Sequence, residues 1–389
     1  RCMHLQVADR LVPRNLCGQI RTRRKQTEQC THEAVELSKA FSHKQHIDRR
    51  KVVVLETSNL RSDYYFNMRR FFRASVVIAT AFLASLNCPA DQSASIWNVV
   101  LDVAPDPAVI TDASIRERIV ATGSPWRVRD IESGVEMLLI PPGKFMMGAS
   151  VGDADATAAE QPAHEVTISK PFYLSRTEVT QDQWIKMMGV NPSRFQPSEF
   201  VAAATATREK QIVEITNTGL TRQEAEQKLG PLQVQFASTA NWPVESMTQE
   251  ELQSFLQKTH LQLPTEAQWE YACRAGTNSV TYGSLDTIAW CGANSQEHTH
   301  PVATKVANAF GMHDMLGNVW EWCWDAYSAD SYAAGKSGAA DQSGPGSGEQ
   351  KVVRGGNWLS LPKTCRASYR IAGAAGHPAY GFRVARNVN

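Results

Sequence analysis

The run RGGNWLSLPKTCRASYR, residues 354–370, sets one thiol, Cys365, among arginines and behind a Gly-Gly pair. A thiol reacts or ligates a metal as its thiolate, which requires electropositive neighbours and access. Arg366 and Arg370 could supply the charge; equally, Cys365 could be a small apolar side chain buried beside Tyr369. The chain has eight cysteines, and four lie beyond residue 90: Cys273, Cys291, Cys323 and Cys365. None of these sits in a C-x-x-C pair, which argues against structural zinc. In an oxidising compartment four thiols allow three pairings, and spacing does not choose among them. His298 and His300 form a His-x-His pair, but without a nearby carboxylate or third histidine it reads as a solvated loop.

Short elements must position these residues. The segment MLLIPPGKFMMGA reads as strand, Pro-Pro-Gly turn and strand, a hairpin. HEVTISKPFYLSRTEVT continues with alternating strand-like residues. Three helices are announced by capping boxes: Thr180 with Gln183, Thr248 with Glu251, and Thr265 with Gln268. In the third, Trp269, Ala272 and Cys273 share a face, which assigns Cys273 to the core. Residues 112–120 predict one more helix. Residues 196–240, with TRQEAEQKLG, read as a partly helical insertion, and the Gly/Ser/Ala-rich stretch 328–350 as a mobile loop. The expectation is an α+β domain of many short strands and few short helices, rich in loops and cemented by tryptophan.

Hydrophobic residues make up 42% and charged residues 20% of the 389 positions, an ordinary globular composition. Beyond residue 89 the chain carries 24 Lys/Arg against 32 Asp/Glu, a net charge of −8. Such a body has no means of releasing counterions from a polyanion, so nucleic acid is excluded as a partner. From Met68, three arginines (Arg69, Arg70, Arg73) precede an apolar run of 13 residues, 74–86. That run is too short to span a bilayer, which takes about 20 residues. It fits the apolar region of a secretory signal. The expected organisation is an upstream extension over 1–67, untranslated or disordered in the native protein, then a signal peptide over 68–90. A lead-in over 91–135 and a single domain over 136–386 complete it. The expected destination is outside the cytoplasm, periplasmic or extracellular, without a membrane span.

Seven stretches together resemble the formylglycine-generating enzyme family, the sulfatase-modifying factors. They are LLIPPGKFMMGAS, EQPAHEVTISKPFYLSRTEVTQDQW, NWPVESMTQEE, LPTEAQWEYACRAGT, GMHDMLGNVWEWCWDAY, VVRGGNWLS and GFRVAR, in the family's order. The resemblance implies a loop-rich α+β fold distantly related to C-type lectins. Residues 196–240 stand outside the usual pattern. Active members are copper-dependent oxidases that convert a cysteine of a sulfatase Cys-x-Pro-x-Arg motif to formylglycine. They use two cysteines five residues apart to hold Cu(I), a soft ion that takes soft sulfur ligands.

Aligned from Gly355-Gly356, the first of those cysteines falls on Ser360, the second on Cys365, and the family's preceding serine on Asn357. A hydroxyl stays protonated at neutral pH and cannot stand in for a thiolate on Cu(I). Copper chemistry would then need a partner thiol from elsewhere, with Cys323 as one candidate; otherwise Cys365 forms a structural disulfide or is merely buried. The resemblance also implies a structural calcium ion held by the side chains of Asp314 and Glu321 and the carbonyls of Gly317 and Val319. Water or Asn318 would complete the shell. The family's second calcium site begins at Asn294 and Ser295, but QEHTHP replaces its acidic loop. Arg354, Arg370 and Arg383 read as buried ion-pair partners, and Asp325 as an acceptor for backbone donors. The expected function is binding of a peptide, a sulfatase-like protein or a small molecule by a calcium-braced domain without copper-dependent oxidation. The alternative is an active formylglycine-generating oxidase.

Overall fold

The computed structural model describes residues 96–388, except 235, 237, 335–338, 345–347, 349 and 374–375. The proposed signal segment and the upstream extension lie outside the described residues. The largest sheet has the order β1-β2-β3-β6-β12 and is antiparallel throughout. Its strands are β1 (Asn98–Asp102), β2 (Arg127–Asp130), β3 (Glu136–Ile140), β6 (Phe172–Ser175) and β12 (Ala385–Asn387). Residues read from sequence as a lead-in therefore supply two of its five strands. A three-stranded sheet joins β4 (Gly143–Met147), β5 (His164–Ile168) and β8 (Ala339–Ala340). A four-stranded sheet runs β10-β9-β7-β11, made of β7 (Trp320–Ala326), β9 (Lys351–Arg354), β10 (Arg370–Ala372) and β11 (Tyr380–Gly381).

The expected hairpin at Pro141-Pro142 does not form. β3 pairs with β2 and β6, while β4 pairs with β5 in another sheet. Four of the five β3 residues are buried, so both faces of that strand are already covered, and the proline pair carries the chain across to the second sheet. Some described residues of the stretch 328–350 pair with the body. β8 runs parallel to β5, and the Asp341 carboxylate accepts from the Ser169 backbone N–H at 2.8 Å.

All three capping boxes are present. They open α2 (Gln181–Met188), α5 (Gln249–Thr259) and α6 (Glu266–Arg274), after α1 (Ala113–Val120) capped by Asp112. Each threonine hydroxyl accepts from the N–H three residues on, and each Gln or Glu returns to the cap N–H. The insertion is a helix pair, α3 (Pro197–Thr216) and α4 (Arg222–Leu229), with a fourth capping box at Thr221 and Glu224. It is fastened to the body by aromatic packing: Phe200 and Phe236 lie 5.4 and 4.8 Å, ring centre to ring centre, from Trp242. Phe195 and Trp358 meet edge to face at 5.0 Å in the same cluster.

Loops this long hold their shape through buried ion pairs. Arg354 bonds to Glu270 and donates to the carbonyls of Ser368 and Tyr369 at 2.5 and 2.7 Å. Arg370 clamps Glu266 with two bonds of 2.6 and 2.8 Å, and Arg366 clamps Glu160 with two of 2.7 and 2.8 Å. Bidentate guanidinium–carboxylate pairs fix geometry as well as charge. Asp325 accepts from the backbone N–H groups of Glu266 and Gly344, as expected. Among the described residues no helix is long and apolar enough to cross a membrane.

Candidate functional site

The C-terminal loop starts with Gly355 and Gly356 at φ of 99° and 83°, a region that favours glycine. A Cβ on Gly356 would come within 2.7 Å of the Cys365 sulfur, so the glycine lets that thiol approach the backbone. Asn357 and Ser360 then lock the turn together. The Ser360 hydroxyl donates to Asn357 Oδ1 at 2.9 Å and accepts from the Asn357 N–H at 2.9 Å. Asn357 Oδ1 also accepts from the Leu359 N–H at 2.9 Å. After the 3-10 turn Pro362–Thr364 the chain delivers Cys365, buried, with its sulfur hydrogen-bonded to Ser360. The two positions matched to the family's cysteine pair therefore do touch, one as a hydroxyl and one as a thiol.

Cys365 is not alone. Cys291, which follows the short helix α7 (Leu285–Ile288), hydrogen-bonds to it sulfur to sulfur. This replaces Cys323 as the candidate partner. Cys323 and Cys273 both lie in the main apolar core. The Cys291 loop is tied to the Cys365 loop by the Gly292 N–H donating to the Ser360 carbonyl at 3.0 Å and by Ser295 Oγ donating to the Trp358 carbonyl at 2.6 Å. Asn294 shapes it by accepting from the Cys291 N–H at 2.9 Å. The bond from Cys365 brings the Cys291 thiol down to about 6, helped by the Ala293 N–H and opposed by burial. The Cys365 thiol is pushed up, first because it is the donor to Cys291 and then by burial. Of the two thiols, Cys291 is the one that more readily gives up its proton, with Cys365 as donor to it. Arg366, which the sequence offered as an acidifying neighbour, is committed to Glu160 and Asp153.

The calcium residues are differently disposed. Glu321 is spent: it accepts from Arg383 at 2.5 and 2.6 Å and from Trp269 Nε1 at 2.6 Å. Asn318 is spent as well, bonding the backbone N–H and C=O of His300 at 2.9 and 3.2 Å. Asp314 uses Oδ2 to accept from the Ala303 N–H at 2.7 Å, while its Oδ1 is buried without a partner. Glu178, which sequence reasoning missed, is 1% exposed with both carboxylate oxygens unpartnered. Burial and the neighbouring Asp314 raise Glu178 well above the carboxylate range, and burial raises Asp314 to about 6. Among the described residues no three His, Cys, Asp or Glu side chains surround a metal-sized space. The carboxylates with orphaned oxygens are thus Glu178 and Asp314. Glu321 serves Arg383 instead.

His298 and His300 turn to backbone carbonyls, those of Thr299 and Ser295, each at 2.6 Å. His300 stacks on Trp290 with ring centres 3.7 Å apart, and burial lowers its imidazole to about 4. The pair is structural.

Residues 127–388 match the sulfatase-modifying factor enzyme 1-like domain. The chain belongs to this family. A sulfatase-modifying factor relative, the formylglycine-generating enzyme of Streptomyces coelicolor, is 27% identical over 64% of this chain and 88% of its own. Serine/threonine-protein kinase pkn1 of Chlamydia caviae is 30% identical over 65% of this chain, which spans only 38% of that relative. The solved structure of PvdO from Pseudomonas aeruginosa superposes with a TM-score of 0.51 at 24% identity, over 67% of this chain and 98% of its own. The fold is the α+β, loop-rich fold of formylglycine-generating enzymes.

Proposed function

We propose that this sulfatase-modifying factor domain binds a peptide, of the sulfatase-like kind or another, or a small molecule, and does not oxidise a cysteine with copper. The observation that carries this reading is Ser360. At the place of the family's first thiol stands a hydroxyl that both donates to and accepts from Asn357. It is a brace for the turn. The braced loop presents Leu359 and Leu361 to solvent, 50% and 60% exposed, on a backbone held from beneath. Rigid scaffolds that expose apolar loop residues suit recognition. A hard cation such as calcium, held by Glu178 and Asp314, would neutralise buried charge and stiffen the body beneath the loop.

A second reading is favoured by one observation: Cys291 touches Cys365. Two sulfurs in contact fit a soft monovalent copper ion, which Cys291 and Cys365 would hold and which would supply redox chemistry. The first reading therefore does not rest on a lone sulfur. It rests on Ser360 and on access: Cys291 and Cys365 are 1% and 0% exposed, while an oxidase must admit a substrate thiol. The signal segment read at 68–90 remains part of the proposal, with export as its consequence.

The experiment is incubation of the reduced chain with copper, oxygen and a Cys-x-Pro-x-Arg peptide, followed by mass spectrometry of the peptide. Unchanged peptide is expected. Copper-dependent conversion to the aldehyde would establish the second reading. Titration of the same peptide onto the copper-free chain and onto Leu359→Ser and Leu361→Ser variants tests recognition.

A further inference from the structure

We propose that Cys291 and Cys365 are a disulfide-forming pair whose covalent bond fastens the 289–295 loop to the 355–365 loop. The two loops are already held in register by Gly292 to Ser360 and by Ser295 to Trp358. The two sulfurs are hydrogen-bonded to each other, and Gly356 leaves free the space that the Cys365 sulfur occupies. Packing does not account for them. Cys273 and Cys323 belong to the main apolar core, whereas Cys291 and Cys365 stand outside it, between two polar turns. Four cysteines with three possible pairings thus resolve into two core residues and one pair.

The oxidant is an organic disulfide, such as oxidised glutathione or the active-site disulfide of an oxidoreductase. The Cys291 thiolate attacks one sulfur of that disulfide, breaking its S–S bond and releasing the first thiolate. Cys365 then gives up its proton and attacks the Cys291 sulfur, expelling the second thiolate. Two protein thiols lose two electrons in all, and the oxidant leaves as two thiols carrying the protons. Cys291 is suited to the first attack because it is the acidified member. Both sulfurs are shielded in the closed fold, so exchange takes place while the loops are still open. The inference is independent of what the domain binds.

The test refolds the full chain in glutathione redox buffer, alkylates it under denaturing conditions and maps it without reduction. The expected result is one linked peptide pair holding Cys291 and Cys365, lighter than the two free peptides by two hydrogens, with Cys273 and Cys323 alkylated. Reductant should lower Tm by on the order of 10 °C, since the bond closes a long loop. Cys291→Ser and Cys365→Ser should each free the other thiol for alkylation and lose the response to reductant, and the double variant should melt no lower than either. If a variant fails to fold, the map of the wild-type chain and its Tm in reductant still decide. Recovery of both cysteines alkylated, linkage of either to another cysteine, or a Tm that ignores reductant would overturn the proposal.

Discussion

The two polar regions of this domain differ in whether they are complete. In the turn around Ser360, the Asn357 N–H, the Asn357 carbonyl oxygen Oδ1, the Ser360 hydroxyl and both thiols all have partners inside the protein. Around Glu178, three buried carboxylate oxygens have none. Burying a polar atom without a partner costs more than making a hydrogen bond returns. The first region is satisfied by its own groups; the second leaves room for protons on its carboxyls or for the cation proposed above. That difference is what the proposed cation-braced, copper-free domain rests on.

The comparison can be broken most severely at Arg383, the guanidinium that neutralises Glu321 beside Glu178 and Asp314. Arg383→Met should cost about 3–5 kcal/mol in urea denaturation, because it strands buried carboxylates. A loss below about 1 kcal/mol would mean that the acidic region is already neutral. Next in size is the cation itself. Calcium at a hundred times its Kd should stabilise the wild-type chain by about 2.7 kcal/mol. Glu178→Gln and Asp314→Ala should each erase that response; calcium-independent melting of the wild-type chain would show that another group satisfies the orphaned oxygens. On the complete side, Ser360→Ala should cost roughly 1–2 kcal/mol by removing two buried hydrogen bonds, read by the same denaturation. A neutral result would show that the turn does not depend on its brace.

The last test concerns pH. His300 has a folded value lowered from 6.5 to about 4, because burial disfavours its charged form. Its contribution is therefore fully present above pH 6.5 and is lost as pH falls toward 4. Tm of the wild-type chain should decline over that window more steeply than Tm of His300→Phe, which keeps the stack on Trp290. Parallel curves would remove His300 from the acid response.

What the sequence revealed followed from how local each signal is. Capping boxes at Thr180, Thr248 and Thr265 span three residues and were legible outright. The core placement of Cys273 followed from helical period. The hairpin failed because pairing partners are chosen by sheets, and β3 and β4 are adjacent only along the chain. Asp314, Glu321 and Asn318 were named through the resemblance alone; that Glu321 meets Arg383 and Trp269, and Asn318 meets His300, is set by folding and carries no local signal. Glu178 escaped notice in a run that alternates like a surface strand, where a carboxylate reads as solvated. Cys291 and Cys365 meet only because the Asn294 and Asn357 turns bring distant loops together, and no spacing rule links them.

The most direct measurement is the metal content of the full chain refolded in glutathione redox buffer with calcium and copper present together, then desalted and analysed by element. The account predicts close to one calcium per chain and no copper. Copper near one per chain, with calcium absent, would contradict it, because the thiol region would then be the incomplete one.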